Sequence, residues 1–184
     1  MGESLNANVD FDVIVVGAGI AGCVTAYQLA NKGHSVLLVE RGMDFGNKNL
    51  SGGVFYCRIM EEVFPGFLEE APVERRITRN CLSFLSPTSF VNLDYGDARL
   101  SQSVTAVSVL RAKLDEWLAQ KCEEAGVMLM PGVRVDELVM ENEQVVGIRA
   151  GEDELRAHVV VAADGVNSFM CRYAGIRGQE PTKH

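Results

Sequence analysis

The spacing of apolar positions changes twice near the amino end of the chain. Residues 11–16, FDVIVV, form a continuous run typical of a strand buried on both faces. Residues 20–32 then fit a helix, which we expect Gly33 to end in a left-handed conformation. A second apolar run, SVLLV, follows at 35–39. The pattern predicts a βαβ unit with a right-handed crossover.

Apolar side chains recur at helical spacing near the middle of the chain, and we expect Gly126 to end this second helix. They are Leu110, Leu114, Trp117, Leu118 and Cys122.

The remaining apolar runs are short and predict strands. Residues 81–85 and 90–93 suggest a hairpin around Pro87 in a separate layer. Further strands are expected at 127–130, 133–140, 145–150 and 154–162. The last three fit an antiparallel meander whose final VVVA, at 159–162, enters the main sheet. The fold class predicted is therefore α/β, with a parallel sheet and an antiparallel β-meander.

The uncharged stretch from Val13 to Asn31 is long enough to suggest a membrane span, but its glycines favour a strand, a turn and a helix. A net charge of −8 without a basic tract argues against nucleic-acid binding. The five cysteines contain no C-x-x-C pair, so no local metal site is expected and a reducing, cytoplasmic location fits. The acidic amino end does not resemble a secretory signal.

Residues 17–22, GAGIAG, follow the first strand and open the first helix, as the dinucleotide fingerprint G-x-G-x-x-G requires. Gly17 permits the tight turn, Gly19 lets a pyrophosphate approach the backbone, and Gly22 allows close packing of helix and strand. The predicted pyrophosphate-binding backbone comprises Gly17, Ala18, Gly19, Ile20, Ala21 and Gly22.

Glu40 ends the second strand, where a carboxylate accepts hydrogen bonds from ribose hydroxyls and repels a 2′-phosphate. The alternative is a purely structural βαβ unit with an exposed glutamate. NAD and FAD share the adenosine diphosphate, so the fingerprint does not choose between them.

Two further segments bear on that choice. Residues 46–56, GNKNLSGGVFY, contain the bare backbone Ser51-Gly52-Gly53, which could pack against a flat ring because no Cβ intervenes; a mobile surface loop is the alternative. Asp164 and Gly165 follow the strand at 159–162, at an edge where open α/β sheets bind ligands. An ordinary turn followed by an Asn or Ser helix cap explains them equally.

The stretches DVIVVGAGIAGCVTAYQLANKG, VERG and KNLSGG resemble the FAD domain of the glutathione-reductase-type flavoproteins. Within these, FPGFLEEAPVERRIT, SVLRAKLDEWLAQKCEEAG and AADGVNS are most similar to the electron-transfer-flavoprotein:quinone oxidoreductase family, in particular its FixC-like members.

The resemblance implies FAD as cofactor and assigns roles to single residues. Gly17, Gly19 and Gly22 would line the pyrophosphate, with Glu40 and Arg41 on the adenosine side. The remaining implied contacts are Ser51 and Gly53 at the flavin, Arg111 reaching the cofactor, Val135 meeting adenine through its backbone, and Asp164 with Gly165 in a second motif. For Arg111 a solvated cation at a helix start is the alternative. We name no catalytic residue, and we expect Cys57 to be a packing thiol.

The resemblance also implies a function: an FAD-dependent oxidoreductase passing electrons from an electron-transfer flavoprotein toward quinone. A ferredoxin-like subunit is a further implied partner, and full-length members would contact the inner face of the membrane peripherally. Alternatives are a geranylgeranyl-reductase-like or monooxygenase-like flavoenzyme, or a truncated, non-catalytic remnant.

Family members are about twice as long as this chain, which sets the expected domain organisation. Residues 8–184 are expected to be the amino-terminal part of an FAD-binding domain, with 66–107 an inserted segment of a substrate or cap layer. The substrate domain would be incomplete and the carboxyl-terminal half of the family absent.

Overall fold

The computed structural model describes residues 9–47, 49–99 and 104–177. Residues 177–184, RGQEPTKH, contain no core-forming side chain and were expected to form a frayed end; all of them but Arg177 lie outside the described residues. Two compact units are present, one formed by residues up to Asn49 together with residues from Asp115 onward, the other by Leu50–Leu114. The predicted inserted segment, 66–107, lies within the second unit.

The strands are β1 Phe11–Val16, β2 Val36–Glu40, β3 Gly52–Tyr56, β4 Val73–Arg76, β5 Asn80–Leu85, β6 Phe90–Tyr95, β7 Ala106–Leu110, β8 Met128–Pro131, β9 Glu137–Glu141, β10 Gln144–Ala150 and β11 Asp153–Ala162. The helices are α1 Ile20–Ala30, α2 Arg58–Val63, α3 Phe67–Glu70, α4 Arg111–Glu124 and α5 Phe169–Tyr173.

The first unit is built on a six-stranded sheet in the order β8-β2-β1-β11-β10-β9. Its first four strands are parallel, and β11, β10 and β9 are antiparallel. Strand β11 takes part in both arrangements, since Val159 pairs with Val13 of β1 while Leu155 pairs with Ile148 of β10. The predicted parallel sheet with an antiparallel meander is confirmed.

Complete burial explains why β1 and β2 are apolar without alternation. Ile14, Val15, Leu37 and Leu38 have no exposed surface, as parallel strands between covering layers require. The helix after β1 ends at Ala30, two residues before the predicted end, and Gly33 follows with φ +89°. The left-handed termination is therefore confirmed, although a turn separates it from the helix.

Helix α4 confirms the second helical prediction. Leu114, Leu118 and Cys122 are fully buried, and Gly126 has the left-handed φ of +88° expected after a helix end. Its buried positions therefore supply core, whereas Leu110, which the spacing also assigned to this helix, ends β7 instead and is 44% exposed.

The strand predicted at 133–140 begins later, at Glu137, so its first half is wrong. The backbone N–H of Val133 donates to the carbonyl of Glu40, and that of Asp136 donates to Arg149. Residues 133–136 therefore pass from the end of β2 toward β10, instead of pairing along a strand.

The second unit contains a three-stranded sheet, β3-β7-β4, and the two-stranded β5-β6. The β5-β6 pair confirms the predicted hairpin, with Leu82 opposite Leu93 and Phe84 opposite Val91. All four of these side chains are more than half exposed. Strands β3, β4 and β7 and helices α2 and α3 carried no clear periodicity and were not predicted.

Candidate functional site

Three neighbouring strands end together at one edge of the six-stranded sheet. The backbone N–H of Gly17, after β1, donates to Val39 of β2 at 2.8 Å, and that of Ala163, after β11, donates to Val16 at 2.8 Å. The segments that follow these strands are therefore adjacent at the carboxyl edge, where open α/β sheets bind ligands.

A cleft of about 1070 Å³ opens at this edge within the first unit. It is lined by six of the residues that the sequence nominated: Gly17, Glu40, Arg41, Val135, Asp164 and Gly165. Chain segments far apart in sequence thus converge on one space.

Two glycines of the fingerprint are required by the chain's own packing. Gly17 has φ +104°, and a Cβ there would lie 2.4 Å from the carbonyl oxygen of Ala163. A Cβ on Gly22 would lie 1.8 Å from the carbonyl oxygen of Gly17. Both distances are far below van der Waals contact, so a side chain would push the first strand, the turn and the helix apart.

The start of α1 offers backbone donors to an anion. Gly19 occupies the N-cap without a side-chain hydrogen bond, and no acidic residue lies in the first turn. Among residues 9–47, 49–99 and 104–177, none accepts a hydrogen bond from the N–H groups of Ile20, Ala21 or Gly22. These donors and the helix dipole suit a pyrophosphate, so the residues present fit a dinucleotide cofactor.

Glu40 connects β2 to the glycine-rich turn. Its Oε2 accepts a hydrogen bond from Ala18 N at 3.1 Å, and its Oε1 accepts one from Gly42 N at 2.6 Å. The carboxylate is therefore held beside both the glycine-rich turn and the cleft.

The segment around Val135 is fixed by its neighbour Asp136. Asp136 accepts hydrogen bonds from the Gly151 N–H at 2.9 Å and from Arg134 Nε at 2.7 Å. The Gly151 N–H and then the Arg134 guanidinium lower the pKa of Asp136. Within the described part of the chain, the backbone N–H and C=O of Val135 have no partner. A held strand-like segment with unsatisfied backbone groups can bind an adenine edge.

Asp164 is engaged in capping the short helix α5. Its Oδ2 accepts hydrogen bonds from the N–H groups of Phe169 and Met170 at 2.6 and 3.1 Å, and its Oδ1 accepts one from the Ser168 hydroxyl. Ser168 in turn accepts from Cys171 N. The turn and the serine cap of that alternative are therefore present, and the same turn lines the cleft.

Three nominated residues belong to the second unit. The Arg111 N–H, opening α4, donates to the carbonyl oxygen of Ser51 at 2.9 Å. Gly53 pairs with Val109 of β7, and a Cβ there would meet nothing within 4 Å. The second half of the glycine-rich stretch is thus strand β3, in which Gly53 is open toward the described residues, whereas a Cβ on Gly52 would lie 3.0 Å from the carbonyl oxygen of Val109.

Sequence reasoning missed several residues that line the cleft: Arg134, Asp136, Asn167, Phe169, Arg172 and Tyr173. Phe169 and Tyr173 have ring centroids 6.5 Å apart, and the Arg172 guanidinium lies 5.4 Å from the Phe169 ring. Aromatic residues four positions apart after an Asp-Gly turn were the available signal.

Cys57 is fully buried, and burial raises the pKa of its thiol, which fits a packing residue. The described residues contain no cluster of His, Cys, Asp and Glu suited to a metal ion. No helix among them combines the length and apolar character needed to span a membrane.

A model of the family described as "FAD binding domain" matches residues 10–184. The probable electron transfer flavoprotein-quinone oxidoreductase YdiS of Escherichia coli (strain K12) is 48% identical over 167 residues, which cover 90% of this chain and 39% of YdiS. Protein FixC of Salmonella typhi is 43% identical over 175 residues, which cover 95% of this chain and 41% of FixC. The chain thus spans about two fifths of the length of these relatives.

Solved structures share the fold. A geranylgeranyl bacteriochlorophyll reductase-like protein from Thermoplasma acidophilum has a TM-score of 0.75 at 25% identity, covering 91% of this chain and 42% of its own. PqsL of P. aeruginosa has a TM-score of 0.69 at 22% identity, covering 95% of this chain and 48% of its own. Together with the family match, these confirm the Rossmann-like fold and FAD as the cofactor.

Proposed function

Because the chain belongs to the FAD binding domain family, we propose that it forms the amino-terminal part of an oxidoreductase that carries electrons from an electron-transfer flavoprotein toward quinone. The observation that carries the proposal is its similarity to YdiS and FixC over at least nine tenths of its length. YdiS is named as a probable electron transfer flavoprotein-quinone oxidoreductase.

The first unit would hold the adenosine diphosphate half of FAD. The pyrophosphate would accept hydrogen bonds from the N–H groups at the start of α1, because the N-cap Gly19 has no side chain to cap them. Glu40 would accept hydrogen bonds from the ribose, Arg41 would lie on the adenosine side, and Val135 would meet adenine through its backbone.

By the resemblance to the family, we propose Ser51, Gly53 and Arg111 as the residues that contact the flavin half of FAD. Gly53 suits this role because a Cβ there would meet no atom of the described residues within 4 Å. When bound, the flavin supplies the redox chemistry by accepting electrons and releasing them to an acceptor. The chain's residues bind and orient it, and we assign none of them to proton transfer.

The proposed electron donor is a protein, by similarity to YdiS, which is named as a probable electron transfer flavoprotein-quinone oxidoreductase. We include a ferredoxin-like subunit as a further partner, by resemblance to the family. The proposed location is the cytoplasm, with peripheral contact to the inner face of the membrane in the full-length protein.

A geranylgeranyl-reductase-like flavoenzyme is the second candidate. The similarity to the protein from Thermoplasma acidophilum, at a TM-score of 0.75, favours it. Both candidates require the same adenosine site, so they differ in electron donor and acceptor.

The first test is on the purified chain: its visible spectrum and the mass of any nucleotide extracted from it. Bound FAD supports the proposal, whereas a colourless product supports a non-catalytic remnant. The second test joins the chain to the remaining region of a relative. Quinone reduction that depends on a reduced electron-transfer flavoprotein supports the first candidate, and turnover driven by a nicotinamide cofactor without that protein contradicts it.

A further inference from the structure

Asp115 is a fully buried carboxylate in the second turn of α4. Removing a charged group from water is costly unless hydrogen bonds compensate for the loss. The side-chain amide of Asn49 supplies such a bond, with 2.5 Å between Asn49 Nδ2 and Asp115 Oδ2. The pair joins positions 66 apart in the sequence and lies within the first unit.

Asn49 lies at the end of a stretch without regular secondary structure that follows β2. Within this stretch, the Asn49 N–H donates to the carbonyl of Gly46 at 2.8 Å, and the Asn47 amide donates to Asp44. These contacts are local to the loop. The bond to Asp115 instead attaches the end of the loop to a helix whose core positions are fully buried.

A second contact reaches α4 two residues later. In the second unit, Ser51 accepts a hydrogen bond from the backbone N–H of Arg111, the first residue of α4. The first two turns of α4 therefore hold Asn49 by a side chain and Ser51 by the backbone. Ser51 and Gly53, the residues assigned to the flavin, follow Asn49 directly in the chain.

Asp115 also lies near the first helix. The pKa of the Cys23 thiol in α1 is raised by its hydrogen bond with Cys122, by burial, and by the nearby charges of Asp115 and Glu40. The carboxylate of Asp115 thus lies near α1 and is hydrogen-bonded to the loop through Asn49.

We propose that Asp115 is a positioning residue which, through Asn49, sets the backbone of residues 49–53 before the flavin binds. This inference rests on the proposed function. A loop fixed in advance loses little conformational freedom on binding, so the cofactor binds more tightly.

The experiment uses the full 184-residue chain with Asp115→Ala, Asn49→Ala and the double variant. FAD and ADP affinities are measured for each by calorimetry, because ADP occupies only the adenosine diphosphate part of the site. We expect each single substitution to weaken FAD binding about tenfold or more, as for loss of a hydrogen bond to a charged group. ADP affinity should change by less than about twofold, which shows that the first unit remains folded.

The double variant separates a shared contact from two independent effects. If the Asn49–Asp115 bond is responsible, the double substitution weakens FAD binding about as much as either single one. Asp115→Asn, which retains an acceptor oxygen for the Asn49 amide, should recover part of the FAD affinity. Controls are Glu116→Ala, an exposed neighbour on α4, and Asn47→Ala, a loop residue with a local bond.

Unchanged FAD affinity in both single variants would overturn the inference, as would an equal loss of ADP and FAD affinity. Hydrogen exchange of residues 46–53 gives a readout that needs no flavin, and both single variants should exchange faster there than the controls. Absence of FAD binding by the unsubstituted chain would contradict the proposed function. The exchange comparison would still decide whether Asp115 fixes the loop.

Discussion

The carboxylate of Glu40 accepts a hydrogen bond from the backbone N–H of Ala18, with 3.1 Å between Glu40 Oε2 and Ala18 N. The same side chain accepts from Gly42 N at 2.6 Å. Glu40 is therefore both a ribose-binding candidate and a structural link between the end of β2 and the glycine-rich turn. Its substitution should affect both roles.

Glu40→Gln should lower the affinity for ADP-ribose about tenfold, because the hydrogen bond from the ribose to a charged carboxylate is lost. The new amide group would also face the backbone N–H of Gly42. The affinity for 2′-phospho-ADP-ribose should fall less, since the negative charge that repels the extra phosphate is removed. Calorimetry with both ligands measures the ratio of the two affinities. Glu152→Gln, an exposed turn residue, is the control. An unchanged ratio would contradict the ribose assignment.

Gly19→Val should abolish FAD retention and leave the secondary structure largely intact. A branched side chain at the N-cap would occupy the space in front of the uncapped N–H groups of α1. Flavin absorbance of the purified variant and its far-ultraviolet circular dichroism measure the two effects. Gly96→Val places the same side chain where a Cβ meets nothing within 4 Å. Stoichiometric FAD in Gly19→Val would contradict the pyrophosphate assignment.

Gly22→Ala should lower the free energy of unfolding by about 1–3 kcal/mol or more, as for overpacking. The reason is the 1.8 Å approach of the added Cβ to the Gly17 carbonyl oxygen. Urea unfolding followed by circular dichroism gives the value, with Gly96→Ala as the comparison. A variant as stable as the unsubstituted chain would show that the turn can open without cost.

Gly53→Ala should weaken FAD binding without lowering the free energy of unfolding. The added Cβ meets no atom of residues 9–47, 49–99 and 104–177 within 4 Å, so we attribute a loss of affinity to contact with the ligand. FAD and ADP titrations of the variant separate the flavin end from the adenosine end, and only the former should respond. Full FAD affinity would argue against a flavin packed on this strand.

Asp12→Asn should destabilise the chain near neutral pH and have little effect in acid. The backbone N–H of Ser35 and then its hydroxyl lower the pKa of Asp12 below its usual value of 3.8. A carboxyl group whose pKa is lowered on folding stabilises the folded state above pH 3.8. This contribution is lost as the pH falls through the folded-state pKa.

Urea midpoints of this variant at pH 7 and about pH 3 check the sign, with Asp153→Asn, an exposed acid at the start of β11, as control. A deficit of equal size at both pH values would assign the effect to packing instead of charge.

The sequence by itself determined the βαβ unit, the glycine-rich turn and the acid at the end of β2. These features are local: strand burial shows as an unbroken apolar run, α4 as four-residue spacing, and the turn as glycines that its backbone requires. Gly33 likewise closes the turn after α1 in a left-handed conformation that its own lack of a Cβ permits. Each could be predicted because the cause and the effect lie within a few residues.

Only the tertiary structure decided which distant segments meet. Residues 133–136 do not belong to the predicted strand, because the backbone N–H of Val133 donates to the carbonyl of Glu40 and not to a strand of the meander. The tertiary structure also paired Asn49 with Asp115, which lie 66 positions apart in the sequence. Such contacts depend on how helices and strands pack, and hydrophobic periodicity carries no information about that partner choice.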